Sequence, residues 1–417
     1  MPIKFRLTLM SFLQFFVWGA WMITIGVYWF QHKQWSGSEF GAIFSTLGIS
    51  SLFMPALTGI MADKWVNAER LYSILHILFG CTFLYLPHVQ DPQIFFWVIL
   101  VAMLFYMPTI ALSNSIAYTL LKKNQYHIIK DFPAIRVWGT IGFIAAMWVT
   151  DLTGNKALEG QFYISAIAAI GLGIYSFTLP PCPPLQSKSG NRSLNERLGL
   201  NAFQLFRTPK MALFFTFSMF LGGALQLTNM YGDAYLSDFG SIPAYANSFV
   251  VRHSTIIMSI SQISETIFIL AIPFFLRRFG IKHVMLISML AWVLRFGLLA
   301  YSDPINGLWM IILSCIVYGM AFDFFNISGS LFVETSTDAN IRSSAQGLFM
   351  MMTNGFGAIL GSSVSGYVIE HYFTQANGRM MWQEIWISFA AYALVIAFLF
   401  SFLFKHKHQT SNSEKIE

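Results

Sequence analysis

Charge is scarce in this chain of 417 residues: Asp, Glu, Lys and Arg make up 11% of it, where soluble domains carry about 25%. So few ionic side chains cannot cover a water-exposed surface, which excludes an ordinary soluble fold. Cysteine is also rare. Cys81, Cys182 and Cys315 are odd in number and lack metal-ligand spacing, which excludes a disulfide framework and a zinc site and leaves packing as their role. The nine His are dispersed, and no Gly-rich phosphate loop, HExxH or GxSxG occurs, so the sequence carries no enzyme signature. No metal or organic cofactor is expected. No sizeable soluble domain is present to serve a receptor.

Apolar residues fill the space that charge leaves: 56% of the chain is hydrophobic. Runs of about 20 residues, long enough to cross a hydrocarbon core of about 30 Å, recur near 6–30, 39–62, 70–87, 92–121, 134–153, 160–180, 211–236, 249–276, 281–301, 306–333, 342–371 and 381–404. These twelve expected spans define an all-α membrane protein. The first run exceeds a signal-peptide core and is read as a retained span. Connections such as "PHVQDPQ" and "YSDPING" carry turn chemistry. The longest, 181–210, opens "PCPPLQSKSGNRS" and separates two six-helix bundles, 1–180 and 211–417, the second ending in a short tail. Lys and Arg gather in alternate connections, twenty against four, which places both termini and the linker in the cytoplasm. The net charge of +6 is thus a topology signal, and no nucleic-acid partner is needed.

Two bundles joined by a linker are a common transporter plan, with the substrate site between them. Between spans 2 and 3, "GIMADKWVNAERLY" resembles the loop signature of the major facilitator superfamily in Gly59, Asp63 and Lys64. The equivalent "FLRRFGIKHVML" keeps Arg278, Gly280 and Lys282. The segments "DFPAIRVWGTIGFI", "LGLNAFQLF", "SISQISETIFILAIPFF", "FDFFNISGS" and "SAQGLFMMMTNGFG" resemble the nucleoside:proton symporter family of that superfamily, in its NupG-type branch, over essentially the whole chain. That resemblance implies import of purine and pyrimidine nucleosides by alternating access across a bacterial inner membrane, with protons as the coupling ion. A functional monomer in the bilayer is expected. The alternatives are a transporter of another polar solute, such as a sugar, or an uncoupled facilitator.

Polar residues inside the spans supply a site on their own terms. Gln226 and Asn229, Gln262 and Glu265, and Asp323 and Asn326 are pairs at i, i+3 that share a helix face. Arg136, Thr140 and Phe143 form a further stripe. Amides both donate and accept, and carboxylates accept from hydroxyls, which suits a base edge and a ribose. Phe143, Tyr318 and Phe322 are candidates to stack on the base, as aromatics do on exposed nucleobases. Glu265 and Asp323, carboxylates within apolar spans, are expected to face a wet site and are assigned jointly to proton coupling and substrate binding. Arg295 is the candidate ion partner for one of them. Trp18, Gln14 and Asn354 are weaker cavity candidates.

Overall fold

The structure is a computed structural model, which describes residues 2–184, 200–338 and 341–406. Most of the expected 181–210 linker and the tail beyond 406 lie outside the described residues. Two of the helices begin at a side-chain cap that the sequence supplies. At the head of α2 (Gly37–Lys64), the Ser36 hydroxyl accepts from the Glu39 N–H at 3.3 Å, and Asp91 accepts from the Gln93 and Ile94 N–H groups ahead of α4 (Pro92–Lys123). Both caps satisfy donors that the first helical turn leaves free. Lys122 and Lys123 close α4, where the carbonyl end of the helix favours cations.

The other α-helices of nine residues or more are α1 (Ile3–Gly19), α3 (Ala68–Tyr85), α5 (Ile128–Leu152), α6 (Gly160–Ser176), α7 (Pro209–Asp238), α8 (Ser254–Ala300), α9 (Leu308–Ser336), α10 (Arg342–Met350), α11 (Ala358–Tyr372) and α12 (Trp382–Leu403). Among the described residues, nine helices are long and apolar enough to cross a membrane, against twelve expected spans. Three features account for the difference. The first helix and α6 stop at 17 residues, and α8 is counted once although its chain turns sharply at Gly280, where φ is 75° and ψ 168°. Only glycine occupies that region without strain. A π-helical stretch, Met351–Gly357, runs between α10 and α11 without a break.

Helices α1 to α6 pack on one another, as do α7 to α12. One face of the molecule, here termed the terminal face, holds the start of α1 and the ends of α2 and α4. There Lys4 Nζ meets Asp131 at 2.7 Å, Arg6 donates to the Thr178 carbonyl at 2.8 Å, and the Cys182 N–H donates to Glu69 at 2.8 Å.

Toward the opposite face the two helix groups close on each other. Gly41 of α2 lies so near α11 that any added side chain would strike the Ser362 carbonyl and Gly366. Phe40 packs edge-on against Tyr231 across the same seam, with 5.8 Å between ring centroids. Lys156 donates to the Val251 and Arg252 carbonyls and the Ser254 hydroxyl, each at 2.9 Å. Asp151, its side chain wholly buried, contacts His253 Nδ1 at 2.5 Å. Trp148 Nε1 donates to Ser259 Oγ at 2.9 Å, and the Ser38 N–H to Glu370 at 2.6 Å. Every one of these contacts joins the first helix group to the second.

Candidate functional site

Between the groups, on the side not sealed, lies a cavity of about 1570 Å³. Its mouth is lined by Asp63, Lys64 and Trp65 at the end of α2 and by Ser344 and Gly347 of α10, so it opens at the terminal face. Its deeper wall carries Arg136, Gln226, Asn229, Phe322 and Asn326. The spacing of Gln226 and Asn229 is therefore realised as one polar stripe of α7. Gln226 Oε1 is buried and has no hydrogen-bond partner, an acceptor left open at the cavity wall.

Glu265 and Asp323 are brought within electrostatic reach of each other. Asp323 is buried behind Phe322 and Asn326, and its Oδ2 has no partner. Glu265 also feels the charge of Arg136, which belongs to the other helix group. Tyr318 lies parallel to Phe322, with 6.1 Å between centroids and 12° between planes, and Gln262 is within hydrogen-bond reach of its hydroxyl. Side chains of the cavity wall and the candidate proton groups thus stand side by side. Two carboxylates in such proximity exchange protons as a pair.

Other candidates fall elsewhere. Thr140, Phe143, Gln262, Glu265, Tyr318 and Asp323 are not part of the cavity lining. Phe143 is packed in the core, where the backbones of α5 and α1 meet at Gly19. Its stripe with Arg136 and Thr140 runs along α5 toward the sealed face, so only Arg136 reaches the open space. Gln14 is fully buried, donating to Thr109 Oγ1 and accepting from the Tyr72 hydroxyl, whereas Trp18 and Asn354 do line the cavity. Gly59, Asp63 and Lys64 are not in a loop. They stand in the last turns of α2, which continues past Pro55 to Lys64.

Arg295 corrects an expectation: among the described residues it forms no ion pair with a carboxylate. Sequence reasoning also missed Phe15, Asn114 and Trp292, all at the cavity wall. The Arg136 guanidinium sits 4.0 Å from the Phe15 ring centroid. Nothing in the sequence distinguishes Phe15 among 42 phenylalanines.

The family model described as nucleoside H+ symporter matches residues 1–409. Nucleoside permease NupG of Escherichia coli is 52% identical over 409 residues, spanning 98% of this chain and 97% of that one. Xanthosine permease of the same species is 48% identical over 418 residues, spanning 100% and 99%. The crystal structure of the nucleoside transporter NupG superposes with a TM-score of 0.91 at 51% identity, over 98% of this chain and 100% of that one. A bacterial homolog of the lysosomal transporter Spinster, at 12% identity and TM-score 0.69, shares the fold alone. The chain is a multi-pass membrane protein of the major facilitator type and belongs to the nucleoside H+ symporter family.

Proposed function

We propose that this protein imports nucleosides across a bacterial inner membrane, each transport cycle driven by proton entry. The observation that carries the reading is the one-sided cavity, whose polar wall stands against a paired carboxylate site. Helices α1 to α6 and α7 to α12 act as two bundles, 1–180 and 211–417. These rock about the substrate and expose the site to alternate sides. With both termini cytoplasmic, the cavity faces inward and the Asp151 and Lys156 contacts close the outer side.

In this reading Gln226, Asn229 and Asn326 address the base edge and ribose, with Gln262 beside them. Phe322 and Tyr318 supply an aromatic surface, and Arg136, Thr140 and Phe143 form the facing side, which tightens as the bundles move. Glu265 and Asp323 take up the coupling proton. Lys64, Asp63 and Gly59 sit at the inner mouth, where that movement is widest. Protons are the sole coupling agent and the monomer is the working unit.

The test is uptake into proteoliposomes of labelled nucleosides, nucleobases and sugars, with and without an imposed proton gradient. Accumulation of nucleosides only, and only with the gradient, is expected. Asp323→Asn keeps size and most hydrogen bonding but removes the exchangeable proton, so it should abolish the gradient-driven part. Sugar accumulation or gradient-independent equilibration would replace this reading with one of the alternatives.

A further inference from the structure

Asn114 is an amide that the proposed cycle leaves without a task. It lines the cavity on α4, where Met107, Ile110, Ala111 and Asn114 recur at the spacing of a single helix face. At 1.5 Å per residue it lies roughly 13 Å from the Lys123 end of that helix, well inside the mouth. Its side chain is partly buried and forms no hydrogen bond among the described residues.

The packing of α4 on α5 fixes its neighbour. These helices run antiparallel through a short turn, and Tyr118 of α4 meets Phe132 of α5 edge-on, with 4.6 Å between ring centroids. One turn deeper on the same face of each helix stand Asn114 and Arg136. The register therefore brings these two cavity-lining side chains to one level of the wall. The reverse of α4 is pinned to α1: the Tyr106 hydroxyl donates to the Gln14 carbonyl at 2.7 Å, and Gln14 Nε2 donates to Thr109 Oγ1 at 2.9 Å. Asn114 is thus held out from a braced helix, as a binding group needs to be.

We propose that Asn114 is a further substrate contact, whose carbonyl accepts a hydrogen bond from an N–H or O–H of the nucleoside while Arg136 donates to the acceptor beside it. The inference rests on the reading of this cavity as the nucleoside site. Arg136 carries donors only. Ser51, on the same wall, gives its proton to the Leu47 carbonyl at 2.7 Å, and Trp18 Nε1 is buried. Away from the charged mouth, Asn114 is therefore the amide with which α1 to α6 can answer Gln226, Asn229 and Asn326 on the other helix group. An N–H next to a carbonyl on a base edge, or the neighbouring hydroxyls of a ribose, present the donor and acceptor that this couple takes. A substrate held by amides from both sides draws the two bundles together.

Equilibrium binding of uridine, 3-methyluridine, 5′-deoxyuridine and 2′,3′-dideoxyuridine is measured on purified wild type, Asn114→Leu, Asn114→Ala and Gln226→Ala. The three analogues lack, in turn, the base N–H, the primary hydroxyl and the secondary hydroxyls. Both Asn114 variants are expected to bind uridine about tenfold more weakly than wild type, at unchanged thermal stability. For one analogue they should bind within about twofold of wild type, because the donor that Asn114 would meet is already gone. That analogue identifies the donor. For the other two the loss should stay near that seen with uridine.

Uridine binding of wild-type strength in both Asn114 variants would overturn the inference. So would an equal loss for all four ligands, which marks a distorted site and not a missing contact, or failure of both variants to fold, because the amide would then serve packing. If wild type binds none of the four ligands, the nucleoside reading of the cavity itself fails. If wild type binds uridine and Gln226→Ala weakens that binding while neither Asn114 variant does, only Asn114 is misassigned.

Discussion

A carboxamide beside a phenol is a small feature with a measurable consequence. Gln262 is within hydrogen-bond reach of the Tyr318 hydroxyl. Removing its amide deletes one or two hydrogen bonds worth about 0.5 to 1.5 kcal/mol each. Gln262→Ala should weaken apparent nucleoside affinity about tenfold at unchanged abundance in the membrane, and unchanged affinity would return Gln262 to helix packing. Cys182 gives the opposite expectation, inertness. Burial, with the Glu69 carboxylate beside it, pushes the thiol up to about 12. Thiolate, the reactive form, is therefore almost absent at pH 7.5 and still scarce at pH 9. Mass spectrometry after maleimide treatment should find Cys182 unmodified in the folded protein and modified after denaturation. Rapid labelling would mean that the Pro180–Pro184 segment leaves its seat on α3. The packing role read for Cys182 from its isolation agrees with its burial, but the Glu69 contact joins residues 113 positions apart, beyond any local pattern.

Helices carry what single residues cannot, namely the distance between the two groups. The pairing of α2 with α11 depends on Gly41 and Gly366, because a Cβ on either would meet backbone rather than a movable side chain. Gly41→Val should keep the opposite face from sealing. Uptake is expected to fall severalfold or more at normal abundance, and labelling of a Ser45→Cys reporter by an impermeant thiol reagent to rise. Unchanged labelling and uptake would show that the close approach is dispensable. The apolar runs made most of these helices legible in the sequence, since run length is local. Their joints were less so. Gly59 to Lys64 reads as a loop from its charges yet continues a helix, and α8 reads as two spans that the chain joins through one glycine. At the site, three-residue spacing placed Gln226 and Asn229 on one wall. It could not tell that Phe143 points along α5 into packing, or that Arg295 lacks a carboxylate, because both depend on which helix lies alongside.

Across the whole molecule the seal and the cavity are complementary: aromatic stacking, backbone contact and the Asp151 cluster hold one end, and a mouth of mixed charge opens at the other. Lys64, at the end of α2, stands at that mouth. The cavity is open at one end and closed at the other, and a pore open from end to end is not what the contacts build.

That one-ended cavity has a pharmacological meaning. A compound that fills it has one door, so potency should depend on the side of application. A membrane-impermeant nucleoside conjugate too bulky to be carried is expected to inhibit at once when added to inside-out vesicles, where the terminal face, proposed to be cytoplasmic, meets the bath. In right-side-out vesicles it should act weakly, and only as the carrier turns over. Equal and immediate block from both sides would mean that the sealed end admits ligands as readily as the open one. If the asymmetry holds, useful blockers of this protein must first enter the cell.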